Sequence, residues 1–192
     1  MKVRVLAASA LVLALCGVGA ASAATAMQTI GVNAGLNLPT GDLSNIAGTG
    51  YFVGGTYTYH LNQQWGVGGD INYHGLGDKS GYGSFHLVQY GVHGKYFFPM
   101  KDSKMMPYAK LGLGIYSLSY SVPTVTFLGF TVGGGTYTSS KTGISLGAGT
   151  TMKINDKQSW GLEALFHLIQ TSGSSSQMLT VGASYNWGLG GK

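Results

Sequence analysis

The sequence predicts an all-β fold, an eight-stranded antiparallel up-and-down transmembrane β-barrel preceded by a cleavable signal peptide. Three observations predict it: repeated two-residue alternation, a low content of charge, and connections that are alternately short and long. Only 9% of residues are charged, against roughly 25% in soluble domains, and 33 of the 192 residues are glycine. Aromatic residues make up 11% of the chain, which argues against disorder.

The first 23 residues are typical of a secretory signal. Lys2 and Arg4 precede an apolar run, Val5–Leu15, and Ala21-Ser22-Ala23 has the small-residue pattern of a cleavage site. An uncleaved membrane helix is the alternative, because the apolar segment is about long enough to span a bilayer. We expect a signal peptide over residues 1–23 and a barrel domain over residues 24–192. The formal charge of +5 is too small to indicate nucleic-acid binding.

The last strand, Met178–Trp187, shows the alternation most clearly. Its odd positions are apolar and its even positions are small or polar, so the strand has one face of each kind. Thr180, Gly182, Tyr185 and Trp187 also follow an order that resembles the C-terminal β-signal of bacterial outer-membrane barrels. That resemblance implies recognition of the last strand by the barrel assembly machinery.

The same alternation recurs in seven upstream segments of about ten residues, the length that a tilted strand needs to cross a bilayer. They are Ile30–Leu38, Tyr51–Leu61, Trp65–His74, Val88–Phe98, Ala109–Ile115, Ile144–Ile154 and Trp160–Leu168. Short connections are predicted near Asn62–Gln64, Met100–Met106 and Asn155–Ser159, and long ones at Pro39–Gly50, Gly75–Ser84, Ser121–Lys141 and Thr171–Gln177. An even number of strands puts both termini at the short-turn end, which is periplasmic in such barrels.

The composition of the two faces assigns their surroundings. The polar face is mostly Gly, Ser, Thr and Asn, which makes a poor water-exposed surface but fits a narrow bore. The apolar face is therefore predicted to contact lipid, with aromatic residues gathered at the strand ends as interfacial girdles.

Together, the signal, the eight alternating strands and the Tyr185-Asn186-Trp187 ending resemble the small outer-membrane β-barrel superfamily, the OmpA/OmpX/OmpW-like proteins. The resemblance implies an integral, porin-like protein of the Gram-negative outer membrane. Its implied partners are outer-membrane lipids and the barrel assembly machinery, with no cofactor and no nucleic acid, and we expect a monomer.

Four charges on the bore-facing positions lie at similar depth: Asp70, Lys95, Lys110 and Glu163. Unpaired charges in a narrow lumen are costly, so these four are predicted to meet in a salt-bridge cluster. The cluster is either a structural plug or a switchable gate for ions. Replacing both Lys95 and Glu163 by uncharged residues distinguishes the two, because only a gate would conduct more.

The histidines suggest catalysis, yet the sequence favours a protein that is not an enzyme. His60, His74, His93 and His167 point into the bore by parity, and the Ser-His-acid pattern of outer-membrane deacylases is not found. The histidines also lack the spacing of metal ligands, so we expect no metal site.

The segment Ser121–Lys141 reads as a hairpin with an apolar patch at Phe127, Leu128 and Phe130. The patch is predicted either to bind a hydrophobic solute or a protein, or to cap the bore. Two functions therefore remain. One is limited passage of small or hydrophobic compounds, and the other is a sealed structural or adhesion barrel that acts through its extracellular loops.

Overall fold

The computed structural model describes residues 28–79, 84–100, 103–127, 130–171 and 174–189. The predicted signal peptide, Met1–Ala23, lies outside these ranges. The described chain forms eight strands and one short helix: β1 (Gln28–Gly41), α1 (Leu43–Ile46), β2 (Ala47–His60), β3 (Trp65–Asp78), β4 (Ser84–Phe97), β5 (Met105–Phe127), β6 (Phe130–Lys153), β7 (Gln158–Thr171) and β8 (Ser174–Leu189).

The strands form one closed antiparallel barrel in which each strand pairs with its neighbours in the sequence. β8 closes the ring against β1, with Ile30 opposite Trp187. The predicted fold, including this closure of the last strand against the first, is confirmed. Gln28 lies opposite Leu189 on one side and Tyr59 on the other, so the two ends of the barrel sequence lie at the same rim as the turn between β2 and β3.

Side chains alternate between the two surfaces of the barrel wall. On β1, Leu36 is 57% exposed whereas the adjacent Asn37 is fully buried, and on β8 Val181 is exposed whereas Thr180 is buried. The apolar face therefore points outwards and the polar face lines the bore, as the composition predicts. An outward band of Leu, Ile and Val fits the hydrocarbon core of a bilayer.

Within the described ranges, no helix is long and apolar enough to cross a membrane.

The predicted long loops are wrong in extent, because most of their residues belong to strands. β1 continues to Gly41, and β5 and β6 remain paired as far as Phe127 and Phe130. The apolar alternation used for prediction ends where the lipid-facing surface ends, but backbone pairing does not depend on that alternation and continues. Within the described residues, the β4–β5 ladder ends at Ser121 and the β6–β7 ladder begins at Gly143, so the β5–β6 hairpin extends beyond both neighbouring strands.

The opposite rim has short turns and contacting aromatic residues. Outward-facing rings meet there in pairs: Trp65 with Tyr96 and Tyr185 with Trp187, with centroid distances of 4.8 Å and 4.7 Å. In the turn after β6, Asp156 accepts a hydrogen bond of 2.8 Å from Lys153, which holds the pKa of this carboxyl below its ordinary value.

Close packing at the seam between β1 and β8 requires residues without a side chain. Gly35 and Gly182 lie opposite each other, and the ring of Phe52 from β2 packs over both. A Cβ atom added to Gly182 would lie 2.5 Å from Phe52 Cζ and 2.6 Å from the backbone oxygen of Ala34. The glycines thus allow a large ring to lie flat against the wall of a narrow barrel.

Candidate functional site: the filled bore

The four predicted charges lie in the bore, and three of them form ion pairs. Lys110 Nζ lies 3.1 Å from Asp70 Oδ1 and 3.2 Å from Glu163 Oε1, so one ammonium bridges two carboxylates from opposite sides of the barrel. The side chains of Lys110, Asp70 and Glu163 are only 3%, 6% and 19% exposed. The bridge therefore joins β3, β5 and β7 across the lumen, where little water screens the charges.

Three further side chains, which the sequence analysis did not assign to this cluster, complete the layer. His93 Nδ1 lies 2.8 Å from Asp70 Oδ2, and Thr58 Oγ1 lies 3.2 Å from His93 Nε2. Tyr108 donates a 2.8 Å hydrogen bond from its hydroxyl to Glu163 Oε2. The alternation of side chains along a strand could have identified Tyr108 as a bore residue, because it lies two residues before Lys110 and therefore on the same face of β5.

Lys95 lies beside this layer without joining its ion pairs. Among the described residues it makes neither a hydrogen bond nor an ion pair, and its Nζ lies 4.9 Å from the centroid of the Tyr108 ring. It stands directly opposite Lys110 in the β4–β5 ladder, and it is 92% buried. The prediction that all four charges meet in one salt-bridge cluster is therefore wrong for Lys95, and Lys110 and Tyr108 occupy the two oxygens of the Glu163 carboxylate.

A second layer of imidazoles, amides and hydroxyls fills the bore above the charges. His74 is hydrogen-bonded to Asn37 at 3.0 Å and to Gln89 at 3.2 Å, and His167 to Tyr116 at 2.9 Å and to Thr180 at 3.0 Å. The rings of His74 and His167 meet edge to face, 6.1 Å apart. The layer therefore spans the bore from His74 on β3 to His167 on β7 with buried polar groups that hydrogen-bond one another.

An apolar cap closes the bore at the rim opposite the short turns. It has two clusters of buried side chains: Leu43, Ala47, Leu76 and Met178 form one, and Leu87, Tyr116 and Ile169 form the other. α1 supplies Leu43, and the positive φ of 58° at Gly41 turns the chain from β1 towards this helix. The inward positions are apolar at this level, which the sequence analysis did not anticipate.

The remaining predicted residues fall into two groups. Of the β-signal positions, Thr180 and Gly182 face the bore, whereas Tyr185 and Trp187 lie on the outer face. For the hairpin patch, the backbones of Phe127 and Phe130 form the last pair of the β5–β6 ladder. The side chains of both phenylalanines, and the whole of Leu128, lie outside the described residues.

Thr58, His93 and Asp70 follow the hydroxyl–imidazole–carboxylate order of a hydrolase triad. Here Lys110 also contacts the carboxylate, and Thr58 is only 3% exposed, so the hydroxyl serves the bore network rather than facing a substrate. No group of three His, Cys, Asp or Glu side chains arranged to hold a metal occurs in the described part of the chain.

The family model described as the outer membrane protein beta-barrel domain matches residues 8–186. The chain belongs to this family. The predicted resemblance to small outer-membrane barrels is thus confirmed. No curated protein matches the chain.

Solved structures of similar fold include three bacterial surface barrels. Neisserial surface protein A has a TM-score of 0.63 at 14% identity, with 85% of this chain and 99% of that chain covered. Ail, the attachment invasion locus protein of Yersinia pestis, has a TM-score of 0.50 at 19% identity, with 85% and 99% covered. OprG from Pseudomonas aeruginosa has a TM-score of 0.51 at 13% identity, with 85% and 96% covered. At these identities the likeness concerns the fold.

Proposed function

We propose that this chain is a sealed, monomeric outer-membrane barrel that acts on the cell surface through its β5–β6 hairpin, as an adhesion or interaction protein. In this proposal both termini are periplasmic, outer-membrane lipids cover the apolar face, and the barrel assembly machinery binds β8. The observation that carries the proposal is the filled bore: a charged layer, a polar layer and an apolar cap follow one another along the barrel axis.

The packing of the bore argues against diffusion of solutes through it. Eight-stranded barrels have interiors just wide enough for side chains to fill, and here Asn37, His74, Tyr116, His167 and Met178 are each less than 2% exposed. A solute would have to break several buried hydrogen bonds and then cross an apolar cap. The first step is costly because buried polar groups would lose their hydrogen-bond partners. The second is costly because a polar solute would lose its hydration among apolar side chains.

The hairpin offers a surface that the barrel wall does not. Three cross-strand hydroxyl pairs stack along one of its faces: Ser117 with Ser140, Ser119 with Thr138 and Ser121 with Thr136, at 2.8, 3.1 and 3.3 Å. On the other face, Tyr137 is 72% exposed. An exposed aromatic ring on one face and a row of hydroxyls on the other give the hairpin two surfaces suited to contact with a protein partner. The predicted patch at Phe127, Leu128 and Phe130 would extend that surface to the tip.

The names of two proteins of similar fold agree with this proposal. One is a surface protein of Neisseria, and the other an attachment and invasion protein of Yersinia pestis.

We expect the wild-type barrel to be silent in planar bilayers and cells that display it to adhere to epithelial cells or immobilised matrix proteins. Replacing residues 122–135 by Asn-Gly together with Tyr137→Ser should abolish adhesion without unfolding the barrel, because the predicted apolar tip and the exposed ring are both lost while Ser121 and Thr136 still pair and Asn-Gly favours a two-residue turn. The control, Lys153→Met with Asp156→Asn, alters only the opposite rim and should adhere normally. Adhesion that survives loss of the hairpin would refute the proposal.

Limited passage of small or hydrophobic compounds is the second candidate, because the charged layer could act as a gate above an open cavity. The variant Lys95→Met with Glu163→Gln removes two of the four charges and leaves the Lys110–Asp70 pair. If the layer gates the bore, single-channel conductance should rise severalfold. If the barrel is sealed as proposed, conductance should stay at background, because the polar layer and the apolar cap remain.

A further inference from the structure

A cavity of about 80 Å³ lies in the bore at the short-turn end, beneath the charged layer. Most of its polar lining is neutral and includes Thr29, Asn33, Thr56, Ser159 and Asn186. This volume is several times the roughly 10–15 Å³ that a cavity needs to hold one water molecule. It is therefore large enough for one small hydrated ion.

Within the described part of the chain, Lys95 is the charged group of this lining that makes no hydrogen bond or ion pair. Lys110 and Glu163, which also line the cavity, are paired with each other. The Lys95 ammonium is left with the face of the Tyr108 ring, which offsets only part of the cost of burying a charge. Lys95 also stands directly opposite Lys110, and like charges in that position repel.

Two neutral groups of the same wall also lack partners. Asn33 Oδ1 and Thr56 Oγ1 are buried, and neither makes a hydrogen bond within the described residues. A threonine hydroxyl can donate or accept, and an amide can present either its oxygen or its NH₂ group after a half-turn. The wall of this small cavity thus carries the Lys95 ammonium, a hydroxyl and an amide oxygen that have no hydrogen-bond partner among the described residues, and a half-turn of the amide would present its NH₂ group as a donor instead.

From this geometry we propose that the cavity is a binding site for a small oxyanion, a carboxylate or inorganic phosphate, held mainly by Lys95. Oxyanions match the set because they accept several hydrogen bonds and supply the countercharge that Lys95 lacks. The cavity lies at the short-turn end of the bore, so in a barrel whose short turns are periplasmic the anion would enter from that side. This inference does not depend on the role of the hairpin, because the site lies at the other end of the barrel.

The test is an NMR titration of the folded barrel in lipid nanodiscs, with inorganic phosphate in one series and acetate in another, at constant ionic strength set by chloride. We expect saturable shifts of the Lys95 and Thr56 backbone amides with at least one of the two anions, and the tighter series identifies the class. Lys95→Met should abolish saturation, and Thr56→Val should weaken apparent binding about fivefold, as for one hydrogen bond. Glu163→Gln should strengthen binding, because it removes a negative charge from the wall.

Lys153→Met is the matched control, since it removes an exposed lysine outside the cavity and should leave the titration unchanged. If Lys95→Met does not fold, Thr56→Val and Glu163→Gln still test the site in opposite directions. Two results would overturn the proposal. One is shifts that rise linearly with either anion, which would mean that the cavity holds water only. The other is saturation in the wild type that neither Thr56→Val nor Glu163→Gln alters.

Discussion

Replacing Lys110 by methionine is expected to destabilise the barrel by about 3–5 kcal/mol, the range for breaking one partner out of a buried ion pair. The large effect follows from geometry, because this one ammonium neutralises both Asp70 and Glu163. Without it, two carboxylates remain in a bore with little water. Urea unfolding of the barrel in lipid vesicles, followed by tryptophan fluorescence, measures the change.

Two further variants test whether charge is the cause. Lys153→Met also removes a lysine from an ion pair, but Lys153 and Asp156 are 59% and 96% exposed, and exposed pairs contribute little to stability. Its unfolding midpoint should therefore match that of the wild type. Adding Asp70→Asn and Glu163→Gln to Lys110→Met should recover much of the loss, since no unpaired charge remains. Equal stability of the single and triple variants would show that lost packing, not charge, destabilises the protein.

The sequence predicts this layer because both the face on which a residue lies and its depth in the bore follow from its position along the strand. Counting residues from the short turns places Asp70, Lys110 and Glu163 at one level of the bore, and alternation points them inwards. No count along the chain reveals which carboxylate takes which ammonium. The pairing depends on how far each side chain reaches across the lumen. In the structure Glu163 pairs with Lys110, and Lys95 faces the cavity.

The closed upper bore could not be predicted for a different reason. Leu76, Leu87 and Ile169 are inward residues of strand segments assigned to loops or left unassigned, because lipid-type alternation has already stopped there. Leu76 packs with Leu43 of α1 and Met178 of β8, whereas Leu87 and Ile169 pack with each other and with Tyr116 of β5, and all these partners are distant in sequence. The cap is thus a tertiary feature that no local pattern encodes, and it is the feature that most favours a sealed barrel.

Replacing Gly182 by valine is expected to destabilise the barrel by at least about 1–3 kcal/mol, the usual cost of overpacking. The added side chain would collide with Phe52 and with the backbone of Ala34 at the seam that closes the ring. A shift of Phe52 would in turn disturb His74, whose ring stacks on it at 5.7 Å. Gly188→Ala is the matched control on the same strand, because its Cβ would meet nothing closer than 3.7 Å.

Gly182 also belongs to the proposed β-signal, so the same variant can separate two roles of the last strand. Refolding of purified protein into lipid vesicles needs no assembly machinery and reports the seam alone. Assembly in cells reports the seam together with recognition of β8. If packing at the seam is the sole role of Gly182, Gly182→Val should lower the refolding yield and the cellular yield by the same factor.

Tyr185 lies on the outer face, away from Phe52. Tyr185→Ala should therefore lower only the cellular yield if the assembly machinery recognises this strand. A parallel loss of refolding in Tyr185→Ala would instead assign that aromatic residue to stability.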